Sequence, residues 1–82
     1  MHETGVIRKL IGLAMDEARS RGGELTKIHV RLGALAGGTA AHLAEHFHIE
    51  LRTLGVPAIE LELDEQPDHP GGVEIVGIEL RR

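Results

Sequence analysis

The sequence predicts an α+β fold of two layers, with two helices packed on one face of a three-stranded mixed β-sheet, in the order helix, strand, helix, strand, strand. Three observations lead there. Apolar residues recur at three-four spacing over 6–18 and 43–54, but at a spacing of two over 25–32, 58–64 and 73–80. Each helical segment has a single apolar stripe and each strand one predominantly polar face, so both helices should cover the same side of the sheet. Gly- and Pro-rich joints separate the segments, and 82 residues suffice for a single domain, 1–82, with one core.

The first helix presents Val6, Ile7, Leu10, Ile11, Ala14 and Ala18 on one stripe. Glu3 and Thr4 suit its start, and Arg19, Arg21, Gly22 and Gly23 its end. Gly5 and Gly12 each weaken helix propensity by about 1 kcal/mol relative to Ala, which packing must offset. In the first strand Ile28, Val30 and Leu32 alternate with Lys27, His29 and Arg31, and a Gly/Ala-rich connection over 33–38 follows. Thr39 offers an N-cap for the second helix, whose stripe is Leu43, Phe47, Leu51 and Leu54; Gly55 and Pro57 stop it.

The second strand, 58–64, turns Ile59, Leu61 and Leu63 inward and Glu60, Glu62 and Asp64 outward. Residues 65–72, with Pro67, Pro70 and a Gly pair, read as a loop before the last strand, 73–80. That strand slips phase, with Val73 and Ile75 on odd positions and Val76, Ile78 and Leu80 on even ones, and Gly77 beside the slip suggests a bulge. The short loop predicts that the last two strands are antiparallel neighbours, and the helical crossover allows the first two to run parallel.

Composition removes several function classes. Nine Lys and Arg against thirteen Asp and Glu leave a net charge of −4, so no basic footprint points to nucleic acid. Phe47 is the sole aromatic, which removes a base-stacking platform. Without cysteine there is no disulfide scaffold, thiolate zinc site, iron–sulfur cluster or cysteine catalysis. The start has no charged and apolar leader pattern and no apolar run approaches about 20 residues, so a soluble, cytoplasmic protein without a membrane span is expected.

His2 is the first candidate ligand. A terminal amine, a backbone amide and an imidazole at the second position close fused small chelate rings, a nitrogen-rich tetragonal set suited to Ni(II) or Cu(II). The neighbouring amides are first-turn donors of the helix and lose no intrahelical bond when a metal displaces their protons. Glu3 supplies a carboxylate where the helix dipole would otherwise repel a cation. A solvated histidine at a frayed terminus is the plain alternative.

Met1-His2-Glu3 opening an amphipathic helix, followed by Ile28-His29-Val30-Arg31-Leu32-Gly33-Ala34-Leu35-Ala36-Gly37, resembles the HypA/HybF family of nickel-incorporation chaperones. The segments 43–47, Thr53-Leu54-Gly55-Val56-Pro57-Ala58 and Leu61-Glu62-Leu63 continue the likeness in register, over 1–66 and plausibly the returning strand. The resemblance implies delivery of nickel to hydrogenase or urease assembly machinery, with Met1, His2 and Glu3 at the metal. It also implies maturation partners: a GTPase and a hydrogenase or urease precursor.

The chain departs from that family at one place. Family members carry a zinc module with paired Cys-x-x-Cys motifs where this chain has only Gln66-Pro67-Asp68-His69-Pro70-Gly71-Gly72. One histidine cannot replace four thiolates, so no structural zinc is expected and the domain should close with the simple loop 65–72. Partner contacts that relatives make through the zinc module are therefore in doubt here. Family members also commonly carry acidic or proline residues near 39–41, where this chain has Thr39, Ala40 and Ala41.

Two further histidine groups stand out. His42 and His46, four apart on one helical face, have the spacing of a metal clamp, but two ligands make only a weak, accessory site. His48 points away from them, and the plain reading of all three is a solvated face. His29 belongs to the wet face of the first strand with Lys27 and Arg31, where Glu60, Glu62 and Glu79 invite cross-strand ion pairs, or where a partner GTPase could dock. His69, between two prolines, is expected to be solvated.

Catalysis has little support. Ser20 is the only serine and has no His/Asp pattern near it, and no P-loop or G-x-G-x-x-G occurs. The competing non-enzymatic reading is an interaction or regulatory module that keeps the fold without metal delivery. An exposed sheet edge leaves a homodimer open, as does exchange of the last strand across 65–72.

Overall fold

In a computed structural model, residues 3–56 and 59–82 are described, Glu3 and Thr4 by their backbone alone. The elements are α1 (Glu3–Ser20), β1 (Glu24–Leu32), α2 (Ala40–Thr53), β2 (Glu60–Glu65) and β3 (Val73–Arg81). The predicted order is observed, with each strand limit shifted by no more than two residues.

Both helices end in the same way. The Gly23 N–H donates to Ala18 O and the Gly22 N–H to Arg19 O, and after α2 the Val56 and Gly55 N–H groups donate to Leu51 O and Arg52 O. This is the Schellman pattern, and it requires the left-handed conformation that Gly22 (φ 70°) and Gly55 (φ 67°) adopt. At the other end of α2, the Thr39 hydroxyl accepts the His42 N–H at 3.2 Å, the predicted cap.

One apolar cluster joins the layers: Ile7, Ile11, Ala14 and Ala18 of α1, Leu43, Phe47 and Leu51 of α2, and Leu25, Ile28, Val30 and Leu32 of β1, with Ile59. Phe47 is 0% exposed. Leu54 leaves the predicted stripe; as the residue capping α2 it is exposed, because the helix has ended before its side chain can turn inward.

The sheet is mixed, but its order is β2-β1-β3. β1 pairs parallel with β2 and antiparallel with β3. The expectation that β2 and β3 are neighbours is therefore wrong. Charge explains why: the wet face of β1 is cationic (Lys27, His29, Arg31), whereas β2 and β3 carry Glu60, Glu62, Glu74 and Glu79. A β2–β3 hairpin would set carboxylates against each other, and a central β1 sets cations between them.

The 66–72 segment accordingly crosses the end of β1, spanning two strand spacings, roughly 10 Å. Backbone bonds bind it there. Gln66 N–H donates to Leu32 O, and the Gly33, Ala34 and Leu35 N–H groups donate to Gly72 O, His69 O and Gly71 O. A Cβ on Gly33 would collide with the Gly71 carbonyl, so this crossing needs glycine for space.

The β1–β3 register shifts twice, between Leu25 and Lys27 and between His29 and Val30. The second shift leaves Val76 unpaired beside Gly77, the bulge the phase slip predicted, and Val76 is 55% exposed. The first was not foreseen. It leaves Thr26 as the extra residue, and the Thr26 hydroxyl donates to Glu79 O at 3.1 Å.

Candidate functional site

α1 and α2 run side by side in the same direction. Val6 and Ile7 share a groove with Leu43 at one end, and Met15 and Ala18 share another with Val56 beyond the far end of α2. Between these, Arg8 of α1 reaches Glu50 of α2, with Nε 2.8 Å from Oε2. Glu50 is 4% exposed, a buried carboxylate held by one guanidinium, and the hydrogen bond to it raises the Arg8 pKa. Sequence reasoning missed this pair. The available signal was opposite charge on the flank of each stripe, beside Ile7 and beside Leu51.

The starts of both helices, the 33–38 connection and the 66–72 crossing therefore lie at one end of the molecule. Leu35 there is 76% exposed. α1 is described from Glu3 onward. Met1 and His2 lie outside the described residues, and nothing is described of the Glu3 side chain.

His42 and His46 stand together on α2, with ring centroids 4.5 Å apart and planes inclined by 66°. His48 lies elsewhere, lining a shallow groove with Ile59, Leu61 and Arg81. Among the described residues no group of three or more His, Asp or Glu side chains is placed to hold a metal ion.

The wet face of the sheet is a cross-strand charge ladder, as the alternation predicted. His29 Nδ1 lies 2.9 Å from Glu62 Oε2 of β2, and Nε2 lies 2.7 Å from Glu79 Oε2 of β3. A neutral imidazole has one N–H, so only the imidazolium donates to both carboxylates. These bonds, to Glu79 first and Glu62 second, raise the His29 pKa. In turn His29 and then Lys27, whose Nζ is 3.3 Å from Glu62, hold the Glu62 carboxyl below its usual range.

At the other end of the ladder Arg31 reaches Glu74 at 3.2 Å, and His69 Nε2 lies 2.8 Å from the same carboxylate. His69 is thus half-buried and bonded, not solvated as expected, because the loop folds back over the end of β1. The bond with His69, followed by that with Arg31, lowers the Glu74 pKa.

Compared with family models, with curated proteins and with solved structures, the chain matches none. No helix among the described residues is long and apolar enough to cross a membrane.

Proposed function

We propose that this chain is a nickel-binding accessory protein that holds Ni(II) through Met1-His2-Glu3 and passes it to the machinery maturing a hydrogenase or urease. The feature that carries the reading is the sequence Met1-His2-Glu3 leading into the amphipathic helix α1. First-turn amides without intrahelical acceptors can give up protons to a metal at no cost in helix bonds, and a carboxylate at this position offsets the charge. The resemblance of 28–37, 53–58 and 61–63 to the HypA/HybF family supports the same reading.

Holding and release follow from proton competition. His2 binds metal as neutral imidazole, so acidification returns a proton to the ring and frees the ion. A GTPase and the apo-enzyme precursor are the partners in this reading, and the cytoplasm its location. The polar ladder around His29 offers such a partner a face of fixed, alternating charge.

The experiment is a titration of the chain beginning at Met1 with NiCl2. About one ion per chain should bind near neutral pH, with most affinity lost on acidification through the imidazole range. A Gly-Ser extension ahead of Met1 should weaken binding, since it converts the amine to an amide. Affinity indifferent to both pH and extension would overturn the reading.

A second reading, an interaction module without metal delivery, draws on a groove of about 630 Å³ between α1 and β3. Leu13 and Val76, both exposed, lie on its walls along an edge strand. Absence of any nickel binding by the intact chain would favour it.

A further inference from the structure

β2 and β3 lie at the two margins of the sheet. In β2 alternate residues turn their N–H and C=O groups toward β1, and the others turn theirs away from it. Among the described residues no backbone partner meets that outer row. Such an edge accepts an additional extended strand, whose backbone gives affinity and whose alternate side chains give specificity. Which strand fits is set by the side chains of β2.

Those side chains alternate strictly over 60–64. Glu60, Glu62 and Asp64 stand on the wet face, and Leu61 and Leu63 pack, half-buried, at the margin of the core. The sheet already shows what answers this pattern. β1 sets Lys27 against Glu60, His29 against Glu62 and Arg31 against Asp64, with Ile28 and Val30 beside Leu61 and Leu63. An alternation of cationic and apolar residues is therefore the complement of β2 on both faces at once.

β1 does not exhaust the charge of β2. Arg31 bonds Glu74 of β3 instead, and neither Asp64 nor Glu65 is ion-paired among the described residues. The Lys27 Nζ lies 3.3 Å from Glu62 but 4.0 Å from Glu60, whose side chain is 80% exposed. On the core side, Ile59, Leu61 and His48 line a shallow groove at the start of β2, where an added apolar side chain would leave water.

A second copy of the chain is a poor occupant. Its β1 is the central strand, and the edges it could offer carry the carboxylates of β2 or of β3. Pairing either with β2 sets carboxylate against carboxylate. The β3 edge is further interrupted by the bulge beside Gly77.

We propose that the outer edge of β2 docks an extended segment of a different polypeptide, in which Lys or Arg alternates with apolar residues, as a fourth strand of the sheet. The net charge of −4 favours the approach of such a segment. This docking needs no metal, and it uses the opposite margin of the sheet from the α1–β3 groove.

The probe is a peptide of residues 25–32, Leu-Thr-Lys-Ile-His-Val-Arg-Leu, with both ends blocked, because it carries the alternation that β2 accepts from β1. Its control peptide carries Lys27→Glu, His29→Glu and Arg31→Glu. Each is titrated into the isotope-labelled intact chain, with amide shifts and hydrogen exchange followed by NMR. The first peptide should shift the amides of 60–65 and slow exchange at those facing outward, and the control should not bind. Added salt should weaken binding, since exposed ion pairs are screened. In the intact chain Glu60→Gln/Asp64→Asn should weaken it by about two- to thirtyfold, the range for two exposed pairs. Both positions are exposed, so circular dichroism should be unchanged.

No shift at 60–65, equal binding of the two peptides, or shifts at 73–81 instead would overturn the docking site. Shifts spreading to Phe47 and its neighbours would mean displacement of β1 and overturn it equally. Self-association of the chain through 60–65 would make a second copy the occupant and refute the proposed partner.

Discussion

Replacing Gly33 by alanine adds one methyl group where two backbone segments cross. The new Cβ would overlap the Gly71 carbonyl and lie 2.8 Å from the His69 carbonyl oxygen. Neither neighbour is a flexible side-chain tip, so the 66–72 segment must lift. Lifting it disrupts the bonds from the Gly33, Ala34 and Leu35 N–H groups, now at 2.9, 2.8 and 2.9 Å. At about 0.5–1.5 kcal/mol each, the loss is about 3 kcal/mol, within a range of roughly 1.5–4.5. For a domain of this size that lowers Tm by roughly 12–24 °C. Gly12→Ala is the internal contrast, because nothing lies within 4 Å of its Cβ position. There the same methyl should stabilise by up to about 1 kcal/mol through helix propensity. Urea unfolding of both variants measures the two signs, and hydrogen exchange at the Ala34 and Leu35 amides locates the damage. A Gly33→Ala protein as stable as wild type would refute the crossing as described.

Phe47→Ala should cost about 3–5 kcal/mol, because a fully buried ring at the centre of the core leaves a cavity the sheet cannot close. Against the roughly 4–12 kcal/mol expected for a chain of this length that is a large share, so calorimetry should find a strongly lowered Tm. Stability should also depend on pH from both sides. The raised His29 pKa means its contribution is complete below the ordinary value near 6.5 and fades as pH rises through the folded value. The lowered pKa values of Glu62 and Glu74 mean theirs fade as pH falls through those values. His29→Gln should flatten the alkaline limb of the urea midpoint plotted against pH and, by releasing Glu62, weaken part of the acid limb; a wild-type alkaline limb in this variant would contradict the ladder. Finally, EDTA should leave Tm unchanged, since the core needs no ion to form. A large drop would reveal a structural metal.

Local periodicity made the elements legible. The alternation Lys27-Ile28-His29-Val30-Arg31 forecast both the buried face of β1 and the charge ladder on the other, and Thr39 forecast its own cap. Strand order was harder, because loop length alone favours a hairpin and the cation-rich β1 argues against one. Reading Lys27, His29 and Arg31 against Glu60, Glu62, Glu74 and Glu79 before choosing neighbours gives the observed order. The Arg8–Glu50 pair and the His69–Glu74 bond depend on which helix turn meets which and where a loop lands, and no local pattern encodes either. As for the candidate site, the sequence pointed to His2, Glu3, His42 and His46 as separate groups. His42 and His46 stand together as their spacing forecast, while His2 and the Glu3 side chain lie outside the described residues.

The central claim is that nickel is held by the segment preceding α1. An equilibrium nickel isotherm on the untagged chain and on His2→Ala, with far-UV circular dichroism of both, tests it most directly. The account predicts about one ion per wild-type chain, binding abolished in the variant, and superimposable spectra. Equal nickel affinity in the two proteins would contradict it.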